Sequence, residues 1–389
     1  MNVLHLFSNA KWTGPAEPVV SLCVALRGLG IAADLACSPN AGTSINKVVE
    51  TARDRGIEPI LRMSLSKHRN PVLNALDART LAGLLTSRRY DVVHCHLDND
   101  HRIALGPARR RSLPLVRSSY YGEGFPNARA LAKLLGRTKL MDAWHIVEPS
   151  RRAFEHDAEV HGVPRERLSM VPVGVDTERF NPVRDTPDGR RWLGIPPGAF
   201  VVGIVARMQT HRRFEDLFRA VKQLVDARED VHLVVVGRGT KQEDVGFRPV
   251  RELGLEDRVH FPGFIEGENY VGMLRSFDAK VFLVPGSDGT CRAVRECMAM
   301  ARPAVVADRG MLAEIVDDGV NGIVCDGTPG ALFESIRRLA RDRALTRALG
   351  RAARDKVVAQ FSLEVQGRAV ADVYECLLRE RPGSGAGSR

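Results

Sequence analysis

The sequence of 389 residues lacks any uninterrupted apolar run of about eighteen residues, so we expect no helix that spans a membrane. It lacks a basic leader before its first apolar stretch, and that stretch is too short for a signal peptide. Its seven cysteines are irregularly spaced, which argues against a disulfide framework and favours a reducing compartment. These absences together predict a cytoplasmic protein.

Aromatic residues make up only 6% of the chain, and no basic cluster is interleaved with them. Nucleic-acid binding is therefore disfavoured, because single strands are held on aromatic platforms within basic grooves. The net charge of +10 still favours an anionic partner, either a nucleotide or anionic lipid head groups. No His/Cys cluster has the spacing of a zinc site. The nearest is HCH at 94–96, for which a third ligand is not evident, so we expect no metal.

Short apolar runs alternate with helix-length spans along the whole chain, a pattern typical of parallel strands that are covered by helices. The runs fall into two series, separated by the Pro-, Asp- and Gly-rich stretch NPVRDTPDGRRWLGIPPGA. The sequence therefore predicts an α/β protein with two domains in tandem, each with its own parallel sheet. We expect the domains at 1–182 and 183–362, a helix at 363–380 and a disordered tail at 381–389.

The stretch SDGTCRAVREC, residues 287–297, follows one of these apolar runs and starts a helix. Ligands of open parallel sheets bind at the carboxyl ends of strands and near helix N-termini, whose N–H groups suit a diphosphate. Asp288 lies just before the helix, where a capping role explains it equally well. Glu296 lies within the helix beside apolar residues, and a buried carboxylate there requires partners.

Two further loops of the second half follow strand-like runs. In ARMQTHRRFED, Arg207 and Arg212 lie at a strand end and a helix start, where guanidinium groups can bind a phosphate. For either arginine alone, a solvated helix face is the better explanation. In VVVGRGTKQE, Gly237 and Gly239 allow a close approach of a ligand, and a plain turn explains them about as well.

The order of these segments resembles the family 4 retaining glycosyltransferases of GT-B fold. The resemblance rests on VARM, HRR, VVVGRG, RVHFPGF and, most specifically, on VFLVPGSDGTCRAVRECMAMARPAVVADRGMLAEIVDDGVNG. TGPAEP, DVVHCH, VEPSRRAF and VPVGVDTERFNP support it in the first half. It implies two Rossmann-like domains facing each other across a cleft. The first would bind the acceptor, the second the nucleotide-sugar donor, and the helix at 363–380 would return to the first domain.

The resemblance also implies which residues contact the donor. Asp288 would hold hydroxyls of the donor sugar, Glu296 the nucleotide ribose, and Arg207 and Arg212 the diphosphate. The other implied donor contacts are Gly14, Gly237, Phe264, Ile265, Gly289, Thr290, Cys291 and Arg292. In this family the anomeric configuration is retained and the leaving phosphate takes the acceptor's proton. No metal, cofactor or dedicated base is then required.

The second half departs from the family pattern at several of these positions. Asp288 stands where the family usually has Glu, Arg212 where it has Lys, and Arg213 where it usually has Gly. The arginine at 212 keeps the charge of a lysine but not its shape. Arg292 stands where the family has a small, apolar residue. It could contact an anionic group of the donor or point to solvent, and the sequence favours neither alternative.

The first half departs from the pattern near the reacting centre. Tyr120 stands where family members often have His. A tyrosine hydroxyl can bind a sugar oxygen but cannot act as a near-neutral acid or base. His96 is the nearest imidazole, and a buried histidine bonded to backbone explains it at least as well. The expected contacts to the sugar or acceptor are His96, Tyr120 and Tyr121.

The leading hypothesis is a retaining, metal-independent glycosyltransferase that uses a nucleotide-diphosphate sugar and a glycan, lipid-linked or small-molecule acceptor, in the synthesis of cell-surface polysaccharide or glycoconjugate. A nucleotide-sugar epimerase and a non-catalytic partner subunit that binds sugar nucleotide are the alternatives. The segment NARALAKLLGRTKLMDAW, 127–144, interleaves basic residues with leucines, which suits a helix on the inner face of an anionic membrane. An ordinary surface helix explains that segment slightly better.

Overall fold

Each half of the chain is built around its own parallel β-sheet. The computed structural model describes residues 1–39, 45–126, 142–285 and 290–380. The first unit is Met1–Gly174 together with the C-terminal helix that begins at Leu363, and the second is Val175–Ser362. The division therefore falls after Gly174 rather than after residue 182, and the Pro-rich stretch at 181–199 belongs to the second unit.

The first unit alternates strands with helices. Its strands are β1 Asn2–Phe7, β2 Ala32–Cys37, β3 Val92–Cys95, β4 Leu115–Ser118, β5 His145–Glu148 and β6 Leu168–Met170. They form one parallel sheet in the order β2-β1-β3-β4-β5-β6. Its helices are α1 Ala16–Gly28, α2 Lys47–Asp54, α3 Pro71–Ser87, α4 Asp98–Arg110, α5 Arg151–Glu159 and, at the end of the chain, α14 Leu363–Arg379.

The second unit repeats the pattern. Its strands are β7 Phe200–Val205, β8 Val231–Val236, β9 Val259–Gly263, β10 Ala279–Phe282, β11 Ala304–Ala307 and β12 Gly322–Cys325. They form a parallel sheet in the order β12-β11-β10-β7-β8-β9. Its α-helices are α6 Gly189–Leu193, α7 Phe214–Asp226, α8 Arg248–Glu252, α9 Gly267–Ser276, α10 Arg292–Ala299, α11 Leu312–Ile315, α12 Pro329–Arg341 and α13 Arg343–Gln360.

Burial explains why the strands read as unbroken apolar runs. Every residue of β3, β4, β8, β10 and β11 is buried, because helices cover both faces of a parallel sheet. Each helix instead buries the side chains along one of its faces. In α7 the buried side chains are spaced three or four residues apart, which is the period of one helical face; they include Phe214, Leu217, Phe218, Val221 and Leu224. In the parts of the chain that the structure describes, no helix is both long and apolar enough to span a bilayer.

Candidate functional site

The loops expected to bind the donor leave the same edge of the second sheet. β10, β7, β8 and β9 are neighbours in that sheet and parallel, so their carboxyl ends lie side by side. Arg207 follows β7, Gly237 follows β8 and Phe264 follows β9. Helix α10 begins after β10, so its N-terminus lies at this edge too. Asp288 and Gly289, expected between β10 and α10, lie outside the described residues.

Glu296 is a buried carboxylate that has two partners. It lies on α10 and only 4% of its surface is exposed. The Tyr270 hydroxyl donates a hydrogen bond of 2.6 Å to its Oε2, and Arg292 Nε lies 2.9 Å from its Oε1. Burial and the adjacent carboxylate hold the pKa of Tyr270 well above its usual value, so its hydroxyl remains a donor at neutral pH. Arg292 thus contacts Glu296, a partner that neither sequence expectation for it had included.

The start of α10 is held in an unusual backbone conformation. Cys291, its N-cap residue, is buried and adopts the left-handed conformation, with φ 51° and ψ 35°. Thr290 is fully buried, and its carbonyl accepts a hydrogen bond from the guanidinium of Arg295. Arg295 is itself fully buried and lies over the Phe361 ring, 5.4 Å from the ring centroid. A buried cation inside the helix therefore fixes the backbone at its N-terminus.

The two predicted phosphate-binding arginines differ in their surroundings. Arg207 is exposed at the end of β7. Arg212 is half-buried and reaches the end of β10, where one of its terminal nitrogens donates a hydrogen bond of 2.8 Å to the Val284 carbonyl. Arg213 next to it is left-handed, with φ 59°, which gives a physical reason for the glycine usual at this family position. The two arginines thus place cationic groups beside the carboxyl ends of adjacent strands.

Lys280 is a buried cation that the sequence expectations did not include. It lies on β10, has no exposed surface, and its Nζ has no hydrogen-bond partner within the described residues. Burial lowers the pKa of Lys280 to about 8, while the neighbouring Cys297 and Glu296 oppose that shift. The ammonium lies 5.8 Å from the centroid of the Phe282 ring. A lone lysine inside the apolar run AKVFLVPG was the signal available in the sequence.

The glycines after β8 are required by packing. A Cβ on Gly237, which has φ 137°, would lie 2.2 Å from the Ala206 carbonyl oxygen. A Cβ on Gly239 would lie at the same distance from the Met208 carbonyl oxygen. Close backbone approach between the loops after β7 and β8 therefore explains both residues. In the neighbouring loop after β9, Phe264 is 56% exposed with Arg238 over its ring at 5.2 Å, and Ile265 is half-buried.

The predicted contacts of the first unit also follow strands. Gly14 lies in the turn between β1 and α1. His96 follows β3, and Tyr120 and Tyr121 follow the neighbouring β4. Tyr120 is buried, whereas Tyr121 is 38% exposed and packs against Phe125, with ring centroids 5.3 Å apart.

His96 lies in a buried cluster of side chains rather than against backbone alone. Its Nδ1 is 2.7 Å from the Tyr120 hydroxyl, and its Nε2 is 3.0 Å from His5 Nδ1. The adjacent His94 contacts the Tyr374 hydroxyl at 2.5 Å and the Ser118 hydroxyl at 2.8 Å. Burial lowers the pKa of His5 to about 3 and those of His94 and His96 well below 6.5. All three imidazoles are therefore neutral at physiological pH.

The tautomers of His5 and His96 can be inferred from the hydrogen-bonded series that joins His5, His96 and Tyr120. His5 Nε2 is buried and has no partner among the described residues. An orphaned N–H is costlier to bury than a spare acceptor, so Nε2 carries no proton and His5 Nδ1 donates to His96. His96 Nδ1 must then donate to the Tyr120 oxygen. The Tyr120 proton consequently points away from His96, which makes this hydroxyl a hydrogen-bond donor to its surroundings.

The structure supplies the third histidine that the sequence did not show for HCH. His5, His94 and His96 each offer a nitrogen within 4.8 Å of the others. The rings of His94 and His96 nevertheless stack, with centroids 4.4 Å apart and an interplanar angle of 21°. The nitrogen lone pairs lie in the ring planes, so stacked rings do not direct them at one point. The hydrogen-bonded chain therefore explains this cluster better than a metal does.

Comparison with known proteins covers both units. A family model described as Glycosyltransferase Family 4 matches residues 13–179, and one described as Glycosyl transferases group 1 matches residues 185–356. Together they span most of the chain. The D-inositol 3-phosphate glycosyltransferase of Nocardia farcinica is 27% identical over 328 residues, which are 80% of this chain and 71% of that enzyme.

Solved structures show the same architecture. A glycosyltransferase from Rickettsia africae superposes with a TM-score of 0.83 at 16% identity, over 97% of this chain and 99% of that one. The Anabaena protein HepE in complex with UDP-glucose superposes with a TM-score of 0.76 at 18% identity, over 97% of this chain and 100% of that one. At such identities the matches establish the fold, which is GT-B with two Rossmann-like halves.

Proposed function

The chain belongs to the group 1 glycosyltransferases, and from that premise we propose that it transfers a sugar from a nucleotide-diphosphate donor bound by its second unit. The observation that carries the proposal is the buried Glu296, hydrogen-bonded to Tyr270 and ion-paired with Arg292, on a helix that starts at the carboxyl edge of the sheet. A carboxylate held there accepts ribose hydroxyls well. HepE, which shares the fold, was solved with UDP-glucose, and this supports a nucleotide-sugar donor.

The arginines suit the chemistry of the leaving group. As the glycosyl–oxygen bond breaks, negative charge grows on the departing diphosphate. We expect Arg207, which is exposed after β7, and Arg212, which reaches the end of β10, to bind it together with backbone N–H groups at the start of α10. Removing one preorganised donor to a developing anion typically costs about 3–4 kcal/mol of transition-state stabilisation. Asp288, the predicted catalytic carboxylate, stays a prediction.

Tyr120 supplies a donor where the family often has histidine. We propose that its hydroxyl binds an oxygen of the sugar or acceptor. His96 acts through Tyr120 as a positioning residue. Because its pKa lies well below 6.5, we expect no acid–base role for it near neutral pH. The proposed proton acceptor is therefore the leaving phosphate, with retention of the anomeric configuration and no metal in the transfer step.

The acceptor is proposed to be a hydroxyl of a glycan, a lipid-linked sugar or a small polyol. The relative named D-inositol 3-phosphate glycosyltransferase supports the small-polyol choice. The seven cysteines form no disulfide, all of them lying in the described residues, which supports the proposed cytoplasmic location. The proposed membrane-contact segment, 127–144, lies mostly outside the described residues.

The direct test is donor turnover by the purified chain. With UDP-glucose and related nucleotide sugars, we expect release of the nucleoside diphosphate, accelerated by a polyol acceptor. Arg207→Ala should lower kcat/KM by about a hundredfold or more, which corresponds to about 3 kcal/mol. Arg248→Ala is the matched control, because Arg248 is an exposed arginine on α8 whose contacts are surface ion pairs. Binding without turnover would instead indicate a non-catalytic partner subunit, and no binding of any nucleotide sugar would refute the proposal.

A further inference from the structure

Buried carboxylates meet at the end of β5 in the first unit. Glu148, the last residue of β5, has no exposed surface, and neither carboxyl oxygen accepts a well-formed hydrogen bond from the described residues. Asp157 on α5 lies beside it, is also fully buried, and its Oδ2 likewise accepts none. A contact with the Ser119 side chain favours the ionised form of Glu148, but none of these three acidic oxygens accepts a well-formed hydrogen bond from the described residues, although native proteins pair nearly all such atoms. A positive group is needed to compensate them.

Two imidazoles stand next to the Asp157 carboxylate. His156, Asp157 and His161 each offer one ligand atom, and these atoms lie within 4.8 Å of one another. His161 is buried, and its Nε2 is 3.0 Å from the Phe125 carbonyl oxygen. The same nitrogen lies 3.9 Å from Asp157 Oδ1, so an ion bound at this nitrogen would take the place of its proton. His156 is half-buried, so the cluster can be reached from solvent.

We propose that Glu148, Asp157, His156 and His161 form a binding site for a divalent transition-metal ion of the zinc type. Mixed imidazole and carboxylate ligands suit zinc, whereas magnesium and calcium prefer oxygen ligands alone. Bonds of about 2.1 Å in a tetrahedral site place ligand atoms about 3.4 Å apart, so small side-chain rotations would close the cluster around an ion. The ion neutralises the buried carboxylates and takes no part in donor chemistry.

Two other sources of compensation act on the same carboxylates. The guanidinium of Arg117 lies near enough to favour the ionised form of Glu148, but it is already paired with Asp98 and packed over the Phe125 ring at 4.5 Å. The second source of compensation is a proton shared between the two carboxyl groups, because burial and Asp157 raise the pKa of Glu148 well above its usual value. His156 Nδ1 lies 2.8 Å from Asp157 Oδ1, and His161 bonds the Phe125 carbonyl, so a shared proton is compatible with both imidazoles. Zinc binding distinguishes the two arrangements, because only a metal would use all four side chains.

The site would fasten the segment that carries Tyr120 and Tyr121. The Phe125 amide donates a hydrogen bond of 2.9 Å to Asp157 Oδ1. Gly124 in the same segment has φ 84°, and a Cβ there would lie 2.3 Å from His156 Nδ1 and 2.8 Å from Asp157 Oδ1. The backbone of this segment therefore packs directly on the cluster. An ion bound there would hold the loop after β4 against α5.

The test uses the untagged full-length chain, stripped with a chelator and reloaded with zinc chloride or, separately, magnesium chloride. Bound metal is counted by mass spectrometry after desalting, and thermal unfolding is followed with and without the metal. Glu148→Gln and His161→Gln each remove one ligand. His96→Gln removes an imidazole from the other histidine cluster of the same unit, and His211→Gln removes an exposed one in the second unit.

We expect about one zinc ion per wild-type chain, an increase in unfolding temperature with zinc, and no such effect of magnesium. Glu148→Gln and His161→Gln should weaken zinc binding by about ten- to a hundredfold, while His96→Gln and His211→Gln keep it. Wild-type protein that retains no zinc, with Glu148→Gln as stable as wild type, would identify a shared proton and overturn the proposal. Loss of zinc in His96→Gln alone would also overturn it, because the ion would then lie at the other cluster.

Discussion

Tyr270→Phe isolates one contact of the candidate site. The substitution removes the hydroxyl that donates 2.6 Å to Glu296 Oε2 and keeps the ring that packs against Phe180, with centroids 6.1 Å apart. Glu296 retains Arg292 beside its other oxygen but loses the hydroxyl that donates to Oε2. A hydrogen bond to a charged group contributes about 1.5–3 kcal/mol, and a buried carboxylate cannot recover it from water. For a unit of this size we therefore expect the unfolding temperature to fall by about 3–12 °C.

Thermal and urea unfolding of the full chain measure this effect, and a double-mutant cycle assigns it. In a Glu296→Gln background, Tyr270→Phe should lower the free energy of unfolding by less, because the charge that strengthens the hydrogen bond is absent. Tyr90→Phe is the matched control: Tyr90 donates 2.7 Å to Asp34, a partly exposed carboxylate that also pairs with Arg88, so its loss should be smaller. An unchanged unfolding temperature, or an equal loss in the Glu296→Gln background, would refute the reasoning.

Three further predictions concern buried charges and glycines. Because burial lowers the pKa of Lys280 from 10.5 to about 8, the free energy of unfolding of the wild type should rise as the pH increases from 8 to 10.5. Lys280→Met should abolish that rise and increase the free energy of unfolding by about 3 kcal/mol at pH 7. An unchanged pH slope in urea unfolding of the variant would contradict this. The pKa of His5 is lowered to about 3, so the free energy of unfolding should fall as the pH drops below 6.5 and should be about 2 kcal/mol lower at pH 5 than at pH 7. An unfolding free energy that does not change between pH 7 and pH 5 would count against neutral buried histidines. Gly237→Ala should lower the free energy of unfolding, measured in urea, by more than about 2 kcal/mol. Gly330→Ala is the control and should be neutral or slightly stabilising, because nothing lies within 4 Å of the new Cβ. Equal effects of the two substitutions would show that the loops after β7 and β8 can move apart.

The strands were predictable because their chemistry is local. Apolar runs such as FVVGIV and VHLVVV need only burial on both faces to become strands of a parallel sheet, and the structure has them at Phe200–Val205 and Val231–Val236. The division between units was harder to locate. It depends on which sheet the chain packs against after Gly174, and the composition of the Pro-rich stretch carries no information about that.

The site was predictable in part. Glu296 stood out as a carboxylate beside apolar residues of a helix, and the four-residue spacing to Arg292 was a readable sign of their ion pair. Tyr270 was not predictable, because it lies on another helix and only the fold brings its hydroxyl to Glu296. The same holds for Tyr374, which comes from the C-terminal helix to contact His94. Sequence spacing reports neighbours on one element, whereas these contacts join elements that are distant in sequence.

Calorimetric titration with UDP-glucose tests the central claim most directly, because it reports donor binding at the carboxyl edge of the second sheet independently of the acceptor. We predict one binding event per wild-type chain, weakened at least tenfold by Arg207→Ala and by Glu296→Gln and unchanged by Arg248→Ala. Equal affinity in the wild type and in both site variants would contradict the account, because the donor would then bind elsewhere on the protein.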